Sequence, residues 1–361
     1  MRNEHVLRRP RLLMSALVLA AAANAHAGPP SEVNCTVEER LTPNCLDGVS
    51  SGVSGGASLR TTATQIAPAR TSDTRDDERR ASNGFRVEGR AAGEGIDGWG
   101  IWGSFGYSEF DGAPVFGTQI TRFDTDLANG LIGADIRLGE RIVLGTALGY
   151  EDSETQTAFN AGTIETDGFT IAPYALLVLT DWLSLDFAFG YTRLDNDQSR
   201  VNTAVGGPTF LTSAFDSDRR FLSSNLTGTY ATGNWLLGAQ VGLLRTEEEQ
   251  DGYTDGARTI LERELTLSQG HFSVDVGYSF GSWEPYARAG YYHDFSRDDG
   301  QNVGGLPGAS VRTDFDDNAW RVGAGLRYYG PSFSGSLELE SEEGRDDFNS
   351  TSVIFSIRSD F

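Results

Sequence analysis

The stretch Trp320-Arg321-Val322-Gly323-Ala324-Gly325-Leu326-Arg327-Tyr328-Tyr329 decides the fold. At a period of two, one face carries Trp320, Val322, Ala324, Leu326 and Tyr328, and the other Arg321, Gly323, Gly325, Arg327 and Tyr329. Successive side chains of a strand point to opposite faces, so this pattern reads as a β-strand with one apolar face. Upstream, Trp283, Pro285, Ala287, Ala289 and Tyr291 alternate with Glu284, Tyr286, Arg288, Gly290 and Tyr292. Before them Phe272, Val274, Val276, Tyr278 and Phe280 alternate with His271, Ser273, Asp275, Gly277 and Ser279. At the end of the chain Val353, Phe355, Ile357 and Phe361 oppose Ile354, Ser356, Arg358 and Asp360.

Alternation alone fits a soluble sandwich as well as a membrane wall. Three features favour the wall. The segments run to about 10–15 residues, where soluble strands average about 5 or 6. Aromatic residues gather at segment ends (Trp99, Trp182, Trp235, Trp283, Trp320, Tyr328, Tyr329), as in the interfacial girdles of membrane barrels. Connections alternate tight and long. Tight turns fall at Gly139-Glu140-Arg141, Thr180-Asp181, Gly233-Asn234, Gly281-Ser282 and Gly330-Pro331-Ser332, and polar, acidic loops are expected near 111–118, 152–163, 196–217, 248–259, 296–313 and 341–348. Short turns on one side and longer loops on the other are the signature of an outer-membrane barrel.

Twelve strands are expected, at about 98–110, 119–138, 142–152, 164–179, 182–195, 217–232, 235–247, 260–280, 283–295, 313–329, 333–341 and 348–361. The fold class is therefore all-β, a twelve-stranded antiparallel transmembrane β-barrel. Ile171 to Leu179 is apolar on both faces and leaves its own register open. Composition agrees: 44 Gly and 11% aromatic residues in 361 favour strands and tight turns over packed helices. Beyond the N-terminus no stretch approaches the roughly 18 apolar residues of a membrane helix. A formal net charge of −22, with Arg as the only strongly basic residue type, argues against binding nucleic acid.

The region before the barrel reads as three pieces. Residues 1–27 have a basic start (Arg8, Arg9, Arg11), an apolar core from Leu12 to Ala23 and small residues at Ala25-His26-Ala27, the layout of a secretory signal peptide. Residues 28–75 are rich in Ser, Thr, Gly and Ala and bury too little surface to order themselves. They hold Cys35 and Cys45, a pair expected to close a small disulfide in an oxidising compartment, with free thiols the alternative. Residues 76–97 are charged, with a short helix expected around Glu78–Ala92, and the barrel follows over 98–361.

Residues from about 76 to 361 resemble the β-domain of autotransporters, the type V secretion translocators. The resemblance rests on Gly98-Trp99-Gly100-Ile101-Trp102-Gly103 opening the first strand and on Leu127-Ala128-Asn129-Gly130-Leu131-Ile132-Gly133-Ala134-Asp135 followed by a turn into Leu144-Gly145-Thr146-Ala147-Leu148-Gly149-Tyr150. The strand count and the terminal Phe361 complete it. The resemblance implies a barrel in the bacterial outer-membrane lipid, a helix threaded through its lumen, and export or display of an N-terminal passenger. It also implies Phe361 as the assembly signal read by the barrel-assembly machinery, with periplasmic chaperones as partners in transit. No cofactor or metal is implied. Family passengers are usually long β-helices or enzyme domains, whereas residues 28–97 resemble neither. Asn83 precedes Gly84 rather than a second Asn, so self-cleavage is not carried over.

A twelve-stranded bore lies between the filled interior of eight strands and the open channel of sixteen. The charged segment before it is a natural plug, its Arg79, Arg80, Arg86 and Arg90 facing lumenal acids such as Asp135, Asp186, Asp275, Glu284, Glu338 and Glu340. The compatible alternative pairs those acids with wall arginines Arg137, Arg288, Arg321, Arg327 and Arg358. Two histidines follow the leader, His271 on a polar face and His293 on an apolar one beside Asp294; both read as wall residues rather than catalysts. Acidic runs such as Glu247-Glu248-Glu249-Gln250-Asp251 lack the spaced ligands and central glycine of a calcium loop. A passive small-solute pore and an adhesin binding a host-surface or extracellular ligand through its loops remain competing readings.

Overall fold

An alternating apolar segment satisfies its backbone only beside another strand, and a row of such strands leaves two raw edges unless it closes. The computed structural model describes residues 98–361 apart from 114, 117–118, 121, 140, 159–160, 203–208, 256–257, 299–316, 331–332 and 346–347. Twelve long strands form a closed antiparallel barrel: β1 Trp99–Gly112, β2 Phe123–Leu138, β3 Ile142–Thr157, β4 Gly162–Thr180, β5 Leu183–Asn202, β6 Thr209–Thr232, β7 Trp235–Gln250, β8 Arg263–Tyr278, β9 Trp283–Asp298, β10 Asn318–Tyr329, β11 Ser334–Glu343 and β12 Phe348–Asp360. Each pairs with the next in sequence, and β12 closes on β1 from Gly100↔Asp360 to Gly112↔Phe348. The leader, the arm with Cys35 and Cys45, and the charged segment with its four arginines lie outside the described residues.

The turn positions match the sequence reading. Gly139, Gly233 and Gly281 take φ of +66°, +57° and +60° at three of the tight turns. That left-handed backbone clashes with a Cβ, which is why glycine stands there. The expected long loops at 152–163 and 196–217 are a correction: β3 and β4 continue to Thr157 and from Gly162, and β5 and β6 to Asn202 and from Thr209. Polar residues were read as loop because they cannot face hydrocarbon. Beyond the membrane they continue the ladder, with Asp195 and Asp197 outward in water while inward Asn196 donates to Ser217 Oγ at 2.9 Å and Thr166 donates to Asn196 at 2.8 Å. In the loops near 111–118 and 248–259 the chain makes small separate hairpins, Val115–Phe116 with Gln119–Ile120 and Tyr253–Asp255 with Arg258–Ile260. β2 and β8 consequently start at Phe123 and Arg263, each three or more residues later than read.

The two faces separate by solvent. Outward lie Ile101, Phe105, Ile132, Leu148, Phe272, Val322, Leu337 and Phe355, all exposed large apolar side chains that would be untenable in water as one surface. Inward lie Ser104, Asp135, Glu151, Asp186, Asp275 and Arg358, all buried. The interior is not uniformly polar. Trp102, Leu131, Val143, Ala147, Ala172, Tyr174, Leu176, Ala188, Phe221 and Leu244 form a buried apolar cluster, which resolves the double apolar face of β4: Ala172, Tyr174 and Leu176 point in, Ile171 and Phe169 out.

Replacing Ile132 with Arg on the outward face of β2 is expected to lower stability by about 2–4 kcal/mol, as basic groups near the bilayer midplane do. Denaturant unfolding in lipid vesicles, followed by tryptophan fluorescence, measures it.

Candidate functional site: the lumen wall

Because β-strand side chains alternate, every second residue of every strand is delivered to the bore, and the charged ones must find partners there. Three groups of ion pairs line it. Near the short-turn end, Arg358 of β12 forms a bidentate pair with Asp135 of β2, at 2.9 and 2.8 Å. Tyr174 of β4 donates to the same carboxylate at 2.7 Å, and Trp102 Nε1 of β1 donates to the Tyr174 hydroxyl at 2.6 Å. Around β8–β11, Arg327 pairs with Glu284 at 2.7 Å and Asp275 at 3.7 Å while lying 3.7 Å over the Tyr286 ring. Tyr286 donates to Glu338 at 2.6 Å, Arg288 reaches Glu338 at 3.5 Å, and Arg321 pairs with Glu342 at 2.7 Å and Glu340 at 3.9 Å. Toward the long-hairpin end, Arg219 sits between Glu151 at 2.8 Å and Glu248 at 3.0 Å. On the same side Arg345 sits between Asp294 at 2.8 Å and Glu342 at 3.1 Å.

Of the residues singled out from sequence, Asp135, Asp275, Glu284, Arg288, Arg321, Arg327, Glu338, Glu340 and Arg358 take part in these groups, and Arg137 stands on the inward face of β2. Asp186 differs. Its carboxylate is buried, accepts from Asn225 Nδ2 at 2.8 Å, and has no basic partner among the described residues. Phe361 stacks on Trp99 with ring centroids 4.5 Å apart, and the two residues exchange backbone hydrogen bonds at 2.9 and 3.3 Å.

Sequence reading missed Trp102, Glu151, Tyr174, Arg219, Glu248, Tyr286, Asp294 and Arg345. Glu248 and Arg345 were lost because they fall in runs read as loop, and Glu151 because it stands at the end of a strand beside one. The signal available for Arg345 was Gly344, whose φ of +95° turns the chain so that the guanidinium enters the bore. His271 stacks on Tyr292 at 5.3 Å and lies 3.4 Å from Gln240 Oε1, while His293 Nδ1 meets Asn318 at 2.9 Å. Neither contacts a carboxylate or a seryl hydroxyl among the described residues, so no nucleophile–base pair is assembled around them.

Excess acid stands on the outward face above the apolar belt. There Tyr107 donates to Asp126 at 2.8 Å, Tyr191 to Asp218 at 2.5 Å, and Tyr150 to Asp167, each an aromatic anchor tied to a carboxylate nearer the long-hairpin end. At that rim partial burial, followed by the nearby Asp111 and Asp126 charges, raises the Asp124 pKa above its ordinary value.

A family model for the autotransporter β-domain matches residues 101–340. The translocator domain of autotransporter NalP from Neisseria meningitidis superposes with a TM-score of 0.65 at 13% identity, covering 87% of this chain and 99% of that one. The β-domain of the Bordetella autotransporter BrkA gives 0.58 at 18% identity over 73% and 99%, and the transport unit of AIDA-I from Escherichia coli gives 0.54 at 11% over 88% and 99%. At these identities the structural likeness concerns the fold. No curated protein matches the sequence.

Replacing Arg219 with Ala leaves Glu151 and Glu248 buried without it and is expected to lower stability by about 3–5 kcal/mol. Replacing Arg193, whose pair with Asp216 is at least half exposed on the outer surface, is expected to leave the unfolding midpoint unmoved. Parallel denaturant titrations in detergent compare the two.

Proposed function

This chain belongs to the autotransporter β-domain family, and from that membership we propose that its outer-membrane barrel translocates or displays the segment N-terminal to β1, with residues 76–97 lodged in the bore as a plug. In this reading residues 1–27 direct export and are removed, periplasmic chaperones and the barrel-assembly machinery deliver the chain with Phe361 as its signal, and residues 28–75 form the carried arm. The barrel does no chemistry.

The observation that carries the plug is Asp186. Five of the six lumenal acids picked out as plug partners have a wall arginine within 4 Å, and Asp186 has, among the described residues, the Asn225 amide and no arginine. A carboxylate buried without a counter-charge is costly unless something supplies one. The segment that runs up to Trp99 at the short-turn end carries Arg79, Arg80, Arg86 and Arg90. An arginine from it would complete Asp186 from within the bore, and the even strand number puts both ends of the barrel on the same side as that entry.

Deleting residues 76–97 is expected to raise single-channel conductance in planar bilayers, and Asp186→Asn is expected to raise it less, by loosening rather than removing the plug. Unchanged conductance in the deletion contradicts the plug and favours a plain pore. An epitope placed within residues 28–75 is expected to label intact cells; labelling only after permeabilisation contradicts display.

A further inference from the structure

The barrel exists only if its last strand finds its first. Along the middle of the β1–β12 seam the inward pairs are small, Ser104 meeting Ser356 at 3.2 Å and Ser108 meeting Ser352 at 2.9 Å, hydroxyl pairs of modest strength, while at the long-hairpin end Phe110 packs on Phe348 with ring centroids 5.6 Å apart. At the short-turn end the character changes. Arg358 leaves β12, passes over β1 and reaches Asp135 on β2 with two charge-assisted hydrogen bonds, both side chains at least 96% buried. The passage over β1 is possible because the residue beneath it is Gly100, where a Cβ would fall 2.0 Å from Arg358 Nη2. The same construction repeats one step inward. Trp102 lies over Gly133 of β2 and Tyr174 over Gly145 of β3, where a Cβ would come within 2.4 and 2.3 Å of their rings.

These contacts form a chain with a direction in time. Trp102, Tyr174 and Asp135 lie on β1, β4 and β2, all within the first four strands, and can hold the carboxylate in place as soon as those strands pair. Arg358 is 223 residues further on and arrives with the final strand. We propose that Asp135 is a closure latch: a carboxylate pre-positioned by Tyr174 and Trp102 that captures Arg358 across Gly100 and holds the β1–β12 seam shut. The latch belongs to the wall and holds whatever occupies the bore. Before closure Asp135 faces a water-filled, open sheet; after closure it is sealed with its counter-charge, so the pair acts only on the closed form.

Peptide-resolved hydrogen exchange on the full chain in lipid vesicles tests the latch. Asp135→Asn keeps the shape and an acceptor for Tyr174 but removes the charge. Gly100→Ala leaves every charge in place and obstructs the crossing of Arg358. Arg358→Lys keeps the charge and loses the two-pronged geometry. Each is expected to speed exchange in residues 99–112 and 348–360 by about tenfold or more while leaving β5 and β6 as protected as in the parent. If Asp135→Asn yields no folded barrel, the other two carry the comparison. Exchange that rises equally in all strands, or does not rise at the seam in Gly100→Ala and Arg358→Lys, overturns the latch.

Discussion

Backbone amides in hydrocarbon have no water to turn to, and each one left without a partner costs several kcal/mol. That constraint fixes the architecture of this chain. Strands must pair on both sides, so the sheet must close, and closure by consecutive hairpins gives the up-and-down order from β1 to β12. Once the ring is closed the alternation of side chains leaves no further choice. Leu326 and Val322 meet lipid because Arg327 and Arg321 cannot, and the arginines are then committed to an interior where they need carboxylates.

The interior answers that commitment with ion pairs. Arg219, Arg321, Arg327, Arg345 and Arg358 each meet one or more wall acids, several of them at both ends of the guanidinium fork. Such buried pairs add little net stability compared with an apolar core of the same volume, but they penalise any arrangement that separates the partners. A barrel built this way gains specificity of register, since a slip by one residue would carry every guanidinium to the lipid. Glycines of adjacent strands set the geometry. Gly100, Gly133, Gly145 and Gly325 are flat places in the wall over which Arg358, Trp102, Tyr174 and Tyr286 lie, letting a side chain of one strand reach past its neighbour.

The strand faces and the tight turns were legible in sequence because both are local. A period of two needs no knowledge of partners, and a glycine at φ of +57° announces itself at Gly233-Asn234. The reach of the strands beyond the membrane was not legible. Asp197 and Ser199 have the composition of a loop, and only the ladder between β5 and β6 shows that they are strand. The pairing of lumenal charges was half legible: the polar face nominated Asp135 and Arg358, but joining them needs the closure that brings residues 223 apart together. Glu151, Glu248 and Arg345 were hidden for the same reason as the strand ends, since a charged residue near a predicted loop reads as solvated.

Everything rests on which face of the wall meets lipid. A nitroxide scan of single cysteines along β10, from Trp320 to Tyr329, reads that directly in vesicles through collision with oxygen, which concentrates in hydrocarbon, and with a charged nickel chelate, which stays in water. The account predicts that oxygen collisions peak at 320, 322, 324, 326 and 328 and fall at the positions between. Uniform accessibility along the strand, or peaks at 321, 323, 325 and 327, would contradict it.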